Sequence, residues 1–133
     1  MEINLQPGLT GEKQEQVTDS NTAIKYGSGD VPVYATPALV GLMEGASINA
    51  VDKYLPPGFC TVGISIRISH TAATPIGLTV TARAELVEVD GRRLVFKVEG
   101  FDEREKVGEG THERFIVQMD KFMRKNLSKQ NKN

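Results

Sequence analysis

Two side chains interrupt the patterns around them and are of types that could carry chemistry, Glu44 and His70. Glu44 directly follows the apolar run Ala38–Met43 and lies between Gly41 and Gly45. A carboxylate is almost never buried without a partner, so its place in this run needs an explanation. His70 ends an alternating apolar face, and an unperturbed histidine titrates near neutral pH, as a proton carrier should. A solvent-facing Glu44 and a core His70 are the structural alternatives.

Motifs of several other chemistries are absent from the sequence. The segment Gly63-Ile64-Ser65-Ile66-Arg67 lacks the second glycine of a serine nucleophile elbow. Gly108-Glu109-Gly110 does not continue as a dinucleotide motif, and glycines in a strand more often mark a bulge or a close backbone approach. Two histidines and one cysteine, all far apart, argue against a zinc site. We therefore expect no metal, and we interpret His112 as structural and Cys60 as an inert, buried thiol.

One long helix is predicted to position Glu44. Thr36 before Pro37 is typical of a helix start, with Thr36 as N-cap and Pro37 as first helical residue. The helix is predicted over Pro37–Leu55, because Pro56-Pro57-Gly58 stops it. Since its first half is apolar on all sides, we expect protein to surround it.

Alternation with a period of two predicts strands after the helix, and Asp90-Gly91 is a strong hairpin signal. A weaker edge strand is predicted in residues 11–19. The predicted long strands are Val62–His70, Leu78–Val89, Arg92–Phe101 and Val107–Met119. We therefore predict an α+β fold in which a curved antiparallel sheet wraps one central helix. Such a sheet leaves its edges and one side of the helix in need of cover, which predicts a homodimer, with a tetramer also compatible.

Composition limits the class of protein. The 133 residues predict one domain over 1–133, and a net charge of −1 argues against nucleic-acid binding. A single cysteine, no signal-peptide pattern and no apolar run of membrane-spanning length predict a cytoplasmic protein without a membrane segment. Residues 121–133 hold five cations and no acid. We expect a loosely ordered basic tail there, with attraction of a polyanionic ligand as the alternative.

Three stretches resemble the hot-dog-fold thioesterases, and most closely the fluoroacetyl-CoA thioesterase group. They are ATPALVGLMEGASINAVDKYLPPG, VGISIRISHTAATPIGLTVTARAELVEVDGRRL and GEGTHERFIV. The resemblance covers residues 33–120 and implies the hot-dog fold, in which a curved sheet surrounds a long helix and sheets pair in a dimer. It ends before Tyr34, where the loop GSGDVPVY has no phenylalanine in the place of the group's aromatic lid. We therefore expect a short acyl group other than fluoroacetyl.

The resemblance also implies which residues form the site. Thr36, Glu44 and His70 match the group's catalytic Thr, Glu and His in spacing, and Gly63 falls where a glycine backbone contacts the acyl thioester. Along a continuous helix, however, Thr36 and Glu44 would be about 12 Å apart. We therefore expect a composite site at a dimer interface.

The activity that this site implies is hydrolysis of a short-chain acyl-CoA thioester, without a cofactor, since coenzyme A belongs to the substrate. Glu44 would activate water or attack the carbonyl, and His70 would protonate the leaving sulfur or help to activate water. Thr36 would hydrogen-bond His70 or the substrate, with nucleophilic attack as a further alternative. Helix N–H groups or the Gly63 backbone would hold the oxyanion. The alternatives are a non-catalytic acyl-CoA-binding or regulatory protein and a hot-dog hydratase or dehydratase.

Overall fold

The computed structural model describes residues 3–131, which form five antiparallel strands and three α-helices. The strands are β1 (Thr10–Gln16), β2 (Phe59–His70), β3 (Thr79–Asp90), β4 (Arg93–Phe101) and β5 (Lys106–Gln118). The helices are α1 (Ala23–Tyr26), α2 (Thr36–Val51) and α3 (Met119–Leu127). The strands form one sheet in the order β1-β3-β4-β5-β2, and α2 lies against one face of this sheet. This arrangement confirms the predicted α+β fold, the central helix and the order of the elements along the chain.

Helix α2 packs its inner side on the sheet, where glycines let the two approach closely. A Cβ on Gly11 of β1 would lie 2.3 Å from the Ala46 carbonyl oxygen of α2. A Cβ on Gly100 or on Gly108 would lie 2.9 Å from a methyl group of Leu39. Such distances are below van der Waals contact, so larger side chains would push the helix off the sheet. The strand glycines are therefore sites of close approach, as predicted for Gly108.

One side of α2 is left open by the sheet within residues 3–131, as expected for a helix with one side that needs cover. On this side Pro37, Gly41 and Ile48 are exposed and Glu44 is half-exposed. These positions recur at helical spacing and so form one stripe. The other sides are buried against the sheet, and the helix is apolar even where nothing in residues 3–131 covers it.

Both ends of α2 differ from the prediction. The N-cap is Ala35, whose carbonyl oxygen accepts from Leu39 N–H, so Thr36 is the first helical residue and caps nothing with its side chain. At the other end the α-helix stops at Val51 and a 3₁₀ turn, Asp52–Tyr54, completes the predicted length.

Strand β2 forms an edge of the sheet and contains a bulge. Its register with β5 shifts between Gly63 and Ser65, which leaves Ile64 as an extra residue, half exposed to solvent (51%). The predicted alternation over Val62–His70 is therefore wrong at Ile64, because a bulge turns side chains out of the regular pattern. Among residues 3–131, β2 pairs only with β5, so its outer edge is open.

The turns and the C-terminal segment complete the fold. The hairpin predicted at Asp90-Gly91 is present, with Gly91 and Arg92 as the two residues between β3 and β4, and the φ of +61° at Gly91 suits a residue without a Cβ. Helix α3 lies largely inside the segment that was expected to be loosely ordered, and its side chains are mostly exposed. The last two residues lie outside the described part of the chain.

Candidate active site

Thr36 and His70 meet at one end of the sheet. Thr36 is the first residue of α2 and His70 is the last residue of β2, and Thr36 Oγ1 lies 2.8 Å from His70 Nδ1. Since Ala35 is the N-cap, the Thr36 hydroxyl is free for this contact. Of the alternatives considered for Thr36, the hydrogen bond to His70 is one that the structure contains. It holds the imidazole in one orientation, with Nε2 on the far side of the ring.

The His70 ring has one nitrogen with no protein partner. Nε2 is buried and makes no hydrogen bond to any residue in the range 3–131, whereas Nδ1 contacts Thr36. Burial lowers the pKa of His70 below its ordinary value of 6.5, so the neutral ring is the resting form at neutral pH. If the Thr36 hydroxyl donates to Nδ1, Nε2 carries the proton; if Nδ1 donates, Nε2 can accept one. Either state suits proton transfer.

A cleft of about 250 Å³ opens beside this pair. Segments from four parts of the chain line it: α1, the loop before α2, the end of β2 and the turn that follows β2. The lining residues are Ala23, Ser28, Val33, Tyr34, Thr36, His70, Thr71, Ala72 and Ala73. These side chains are small or apolar apart from Thr36, Tyr34 and His70, so the cleft can hold a small, weakly polar group.

Glu44 lies with Gly63 at a second place. The carboxylate is on the uncovered side of α2, and its side chain is 39% exposed. A Cβ on Gly63 would lie only 2.8 Å from Glu44 Oε2, so the glycine backbone faces the carboxylate directly. The bulge of β2 begins at this glycine. Glu44 is therefore half-exposed beside irregular backbone, and neither fully buried nor fully solvated.

A buried network behind Glu44 holds Arg114 in place. Arg114 is 4% exposed, donates from Nε to Thr61 Oγ1 (2.7 Å) and from Nη2 to Thr61 O (2.9 Å). Its Nη1 lies 3.1 Å from His112 Nε2 and 3.8 Å from Glu44 Oε2. The guanidinium thus gives the carboxylate a cationic neighbour from inside the protein. The sequence analysis did not identify Arg114. The signal that could have found it is its position in β5 between His112 and Ile116, whose side chains face inward.

His112 belongs to this network as a fixed, neutral residue. Because Arg114 can only donate, His112 Nε2 accepts, and Nδ1–H donates to the Ser65 carbonyl oxygen at 2.8 Å. Burial, with the nearby Arg114 charge, lowers the pKa of His112. Both ring nitrogens are occupied and 1% of the residue is exposed, which agrees with the structural interpretation.

The four predicted site residues therefore form two pairs within one chain. Thr36 hydrogen-bonds His70, and Glu44 lies beside the Gly63 backbone. The pairs do not contact each other, because Thr36 and Glu44 are separated by two turns of α2, about 12 Å. No group of three or more His, Cys, Asp or Glu side chains within residues 3–131 is arranged to hold a metal ion. Cys60 is a half-buried free thiol, and burial raises its pKa.

The long helix, the curved five-stranded sheet and the two polar pairs at its edge strand define a hot-dog-fold protein with a candidate active site. Solved structures agree: a hot-dog-like protein from Thermanaerovibrio acidaminovorans superposes with a TM-score of 0.86 over 96% of this chain and 94% of that one, at 22% identity. The family model for fluoroacetyl-CoA-specific thioesterases (FlK) matches residues 17–120, and the chain belongs to this family.

Two fluoroacetyl-CoA thioesterases are similar to this chain over most of its length. The fluoroacetyl-CoA thioesterase of Streptantibioticus cattleyicolor is 50% identical over 90 residues, which are 68% of this chain and 65% of that protein's length. A solved structure of the fluoroacetyl-CoA thioesterase FlK has a TM-score of 0.87 at 38% identity, covering 98% of this chain and 99% of that one. No helix of residues 3–131 is both long and apolar enough to cross a bilayer.

Proposed function

We propose that this protein hydrolyses a short-chain acyl-CoA thioester to the free acid and coenzyme A, without a cofactor. The observation that carries the proposal is the Thr36–His70 pair beside a small cleft, because Nε2 of His70 is buried and has no hydrogen-bond partner among residues 3–131. The chain that holds this pair belongs to the fluoroacetyl-CoA-specific thioesterase family. A relative named for that activity is 50% identical over 90 residues. A small cleft favours a short acyl group.

The proposed chemistry divides between the two pairs. Glu44, beside Arg114 and half-exposed, activates water or attacks the thioester carbonyl. The backbone at Gly63 hydrogen-bonds the developing oxyanion. The β-bulge supports this role, because its extra residue, Ile64, lies outside the regular hydrogen bonding between β2 and β5. His70 donates the proton that the leaving sulfur takes, or helps to activate water, and Thr36 orients the ring.

We propose further that the site is completed in a homodimer. Two surfaces that would otherwise face water support this: the uncovered apolar stripe of α2 and the open edge of β2. Val62, Ile66 and Ile68 are half-buried on that edge strand, and long apolar edges are usually covered by another strand. A two-fold axis pairs an edge strand antiparallel to its own copy. An axis between Ile66 and Arg67 would bring Gly63 of one protomer beside the partner's His70.

Thiol release from a panel of short acyl-CoA esters, followed with a chromogenic disulfide, tests the activity, with enoyl-CoA hydration assayed in parallel. Hydrolysis of an acetyl- to butyryl-sized ester supports the proposal. Hydration without hydrolysis would favour the hydratase or dehydratase, and coenzyme A binding without turnover would favour the non-catalytic binding protein. Light scattering at micromolar protein tests the dimer, and a 14.5 kDa mass would contradict it.

Mixing two inactive variants tests whether the site is shared. Glu44→Gln and His70→Ala homodimers are denatured together and refolded. If each site takes Glu44 from one protomer and His70 from the other, each heterodimer has one intact site, and the mixture recovers about a quarter of wild-type activity. If both residues act within one protomer, no heterodimer has an intact site and nothing is recovered. A mixture of Glu44→Gln with itself is the control.

A further inference from the structure

Helix α3 and the residues that follow it form the most basic stretch of the sequence. Residues 121–133 hold five of its sixteen cations, while all seventeen acidic side chains lie in residues 1–120. Lys121, Arg124 and Lys125 are exposed on α3, and Lys129 follows in the next turn. None of these four has a carboxylate partner within 4.0 Å among residues 3–131. Their charge is thus available to an anion.

This helix is held in a defined position. Gln118 caps it by accepting from Lys121 N–H (2.7 Å), and Met119 N–H donates to Gly58 O (2.9 Å) immediately before β2. Phe122 and Asn126 turn toward the protein and are half-buried. At 100° per residue, Arg124 projects directly away from these contacts and Lys121 and Lys125 lie beside it on one flank, so the three cations share an arc of about 100°. The basic face is a fixed surface of the folded chain.

The basic face lies next to the end of β2 that leads to Gly63. Gln118 pairs with Phe59, the first residue of β2, and Gly63 is four residues further along, about 13 Å. Arg92 adds a cation at this end, with its guanidinium carbon 5.7 Å from the centre of the Phe59 ring. Within one chain His70 lies at the opposite end of β2, about 36 Å along the strand. In the antiparallel pairing proposed above, the partner's α3 would lie toward that end.

We propose that the basic face of α3, formed by Lys121, Arg124 and Lys125, binds the phosphate groups of the coenzyme A part of the substrate. This rests on the proposed function, because it supplies the anchor that an acyl-CoA site needs. The thioester is at one end of an extended pantetheine arm and the phosphates are at the other, so their binding site must lie away from Glu44 and Gly63. Lysine and arginine are the usual phosphate partners. The remaining surface, with seventeen acids against eleven cations, repels a polyanion.

The test compares substrates with and without the phosphates. In the full-length protein, Lys121→Gln, Arg124→Gln and Lys125→Gln are combined, and hydrolysis of acetyl-CoA is compared with that of acetyl-pantetheine. We expect KM for acetyl-CoA to rise about tenfold with kcat retained, from three exposed charge contacts of modest strength each. KM for acetyl-pantetheine should stay within twofold. Added salt should weaken acetyl-CoA binding in the wild type more than in the variant.

A control variant removes the same charge elsewhere. Arg83→Gln, Lys97→Gln and Lys106→Gln neutralise three cations that lie in the strands away from α3, and this variant should keep the wild-type KM for both substrates. Equal changes in the two triple variants would overturn the proposal, because they would reflect net charge alone. An unchanged KM for acetyl-CoA in the α3 variant, or an equal rise for acetyl-pantetheine, would also overturn it.

Binding of free coenzyme A, measured by calorimetry, separates this inference from the proposed function. If the wild type binds coenzyme A but hydrolyses no thioester, the proposed function fails, and a tenfold weaker Kd in the α3 variant still supports the phosphate site. The helix also exposes Met119, Met123 and Leu127 beside its cations. If the α3 variant loses binding to vesicles of phosphatidylserine while its Kd for coenzyme A is unchanged, a lipid surface is the partner and the proposal is wrong.

Discussion

Replacing Gly63 by alanine probes the position of Glu44 without touching its charge. The added Cβ would lie 2.8 Å from Glu44 Oε2, 3.3 Å from His112 Cε1 and 3.4 Å from Arg114 Nη1. The last two distances are tight but require shifts of at most a few tenths of an ångström. The first is too short for any real contact, so the carboxylate must move. Because it is the end of a flexible, half-exposed side chain, it can move without disturbing the core.

The size of the effect follows from this displacement. An ordinary contact begins near 3.4 Å, so Glu44 Oε2 must withdraw by about 0.6 Å. A misplacement of about 1 Å in an active site can cost about 100-fold in rate, which gives a loss of about tenfold for this shift. The free energy of unfolding should change by less than about 1 kcal/mol, since no buried group loses a partner. Gly63→Ala is therefore expected to lower kcat about tenfold in a protein of normal stability.

The assay is steady-state thiol release from the best acyl-CoA ester, with urea unfolding measured on the same samples. Gly110→Ala is the contrasting variant, because its Cβ would lie 2.0 Å from the Arg67 carbonyl oxygen, a backbone atom that cannot move aside. That variant should lose stability first. If Gly63→Ala keeps wild-type kcat while Glu44→Gln is inactive, the exact position of the carboxylate does not matter and the reasoning is refuted.

Three further predictions concern ionisable side chains. His70→Ala should lower kcat far more than His112→Asn, because Nε2 of His70 is unpaired whereas both nitrogens of His112 are occupied; equal losses in two folded variants, checked by circular dichroism, would contradict this. Glu44→Gln should bind substrate normally but lose about 10²–10⁴-fold in kcat, as for loss of a general base, and a loss of only a few-fold would make Glu44 structural. Burial lowers the pKa of both histidines below 6.5, so the unfolded chain binds more protons and the free energy of unfolding should fall as pH drops from 7.5 to 5.5. Urea unfolding at both pH values checks this, and an unchanged midpoint would contradict it; His112→Asn should reduce the fall.

Local patterns were sufficient to predict most of the fold. The period of two placed each long strand within three residues of its observed bounds, because alternation reflects only which face of a strand is buried. The Asp90-Gly91 hairpin followed in the same way from the backbone that a tight turn requires. The bulge at Gly63 could not be found like this, since it depends on how β2 and β5 meet. The alternation of apolar residues continues through Ile64 and gives no sign of it.

The candidate site shows the same division between local and tertiary information. Residue type and pattern selected His70, whereas the resemblance to the thioesterase family selected Thr36; the structure contains the hydrogen bond between the two. Residue types alone gave the wrong N-cap, because a Thr-Pro start is equally compatible with capping one residue earlier. Arg114 was missed because a charged residue in an alternating strand suggests solvent. Only the network with Thr61 and His112 shows that the strand buries it.

The geometry of α2 explains why an apolar helix, an open strand edge and a divided site occur in one chain. Its uncovered stripe carries Glu44 on the same side as Gly41 and Ile48, so any protein that covers the stripe also covers the carboxylate. Thr36, at the start of the same helix, cannot reach Glu44, because the helix itself keeps the two apart. A rigid helix fixes that separation in every conformation of the folded chain. In the homodimer proposed above, a second helix and a second β2 would bring His70 of one protomer to Glu44 of the other, and the two surfaces left open are the ones that would admit them.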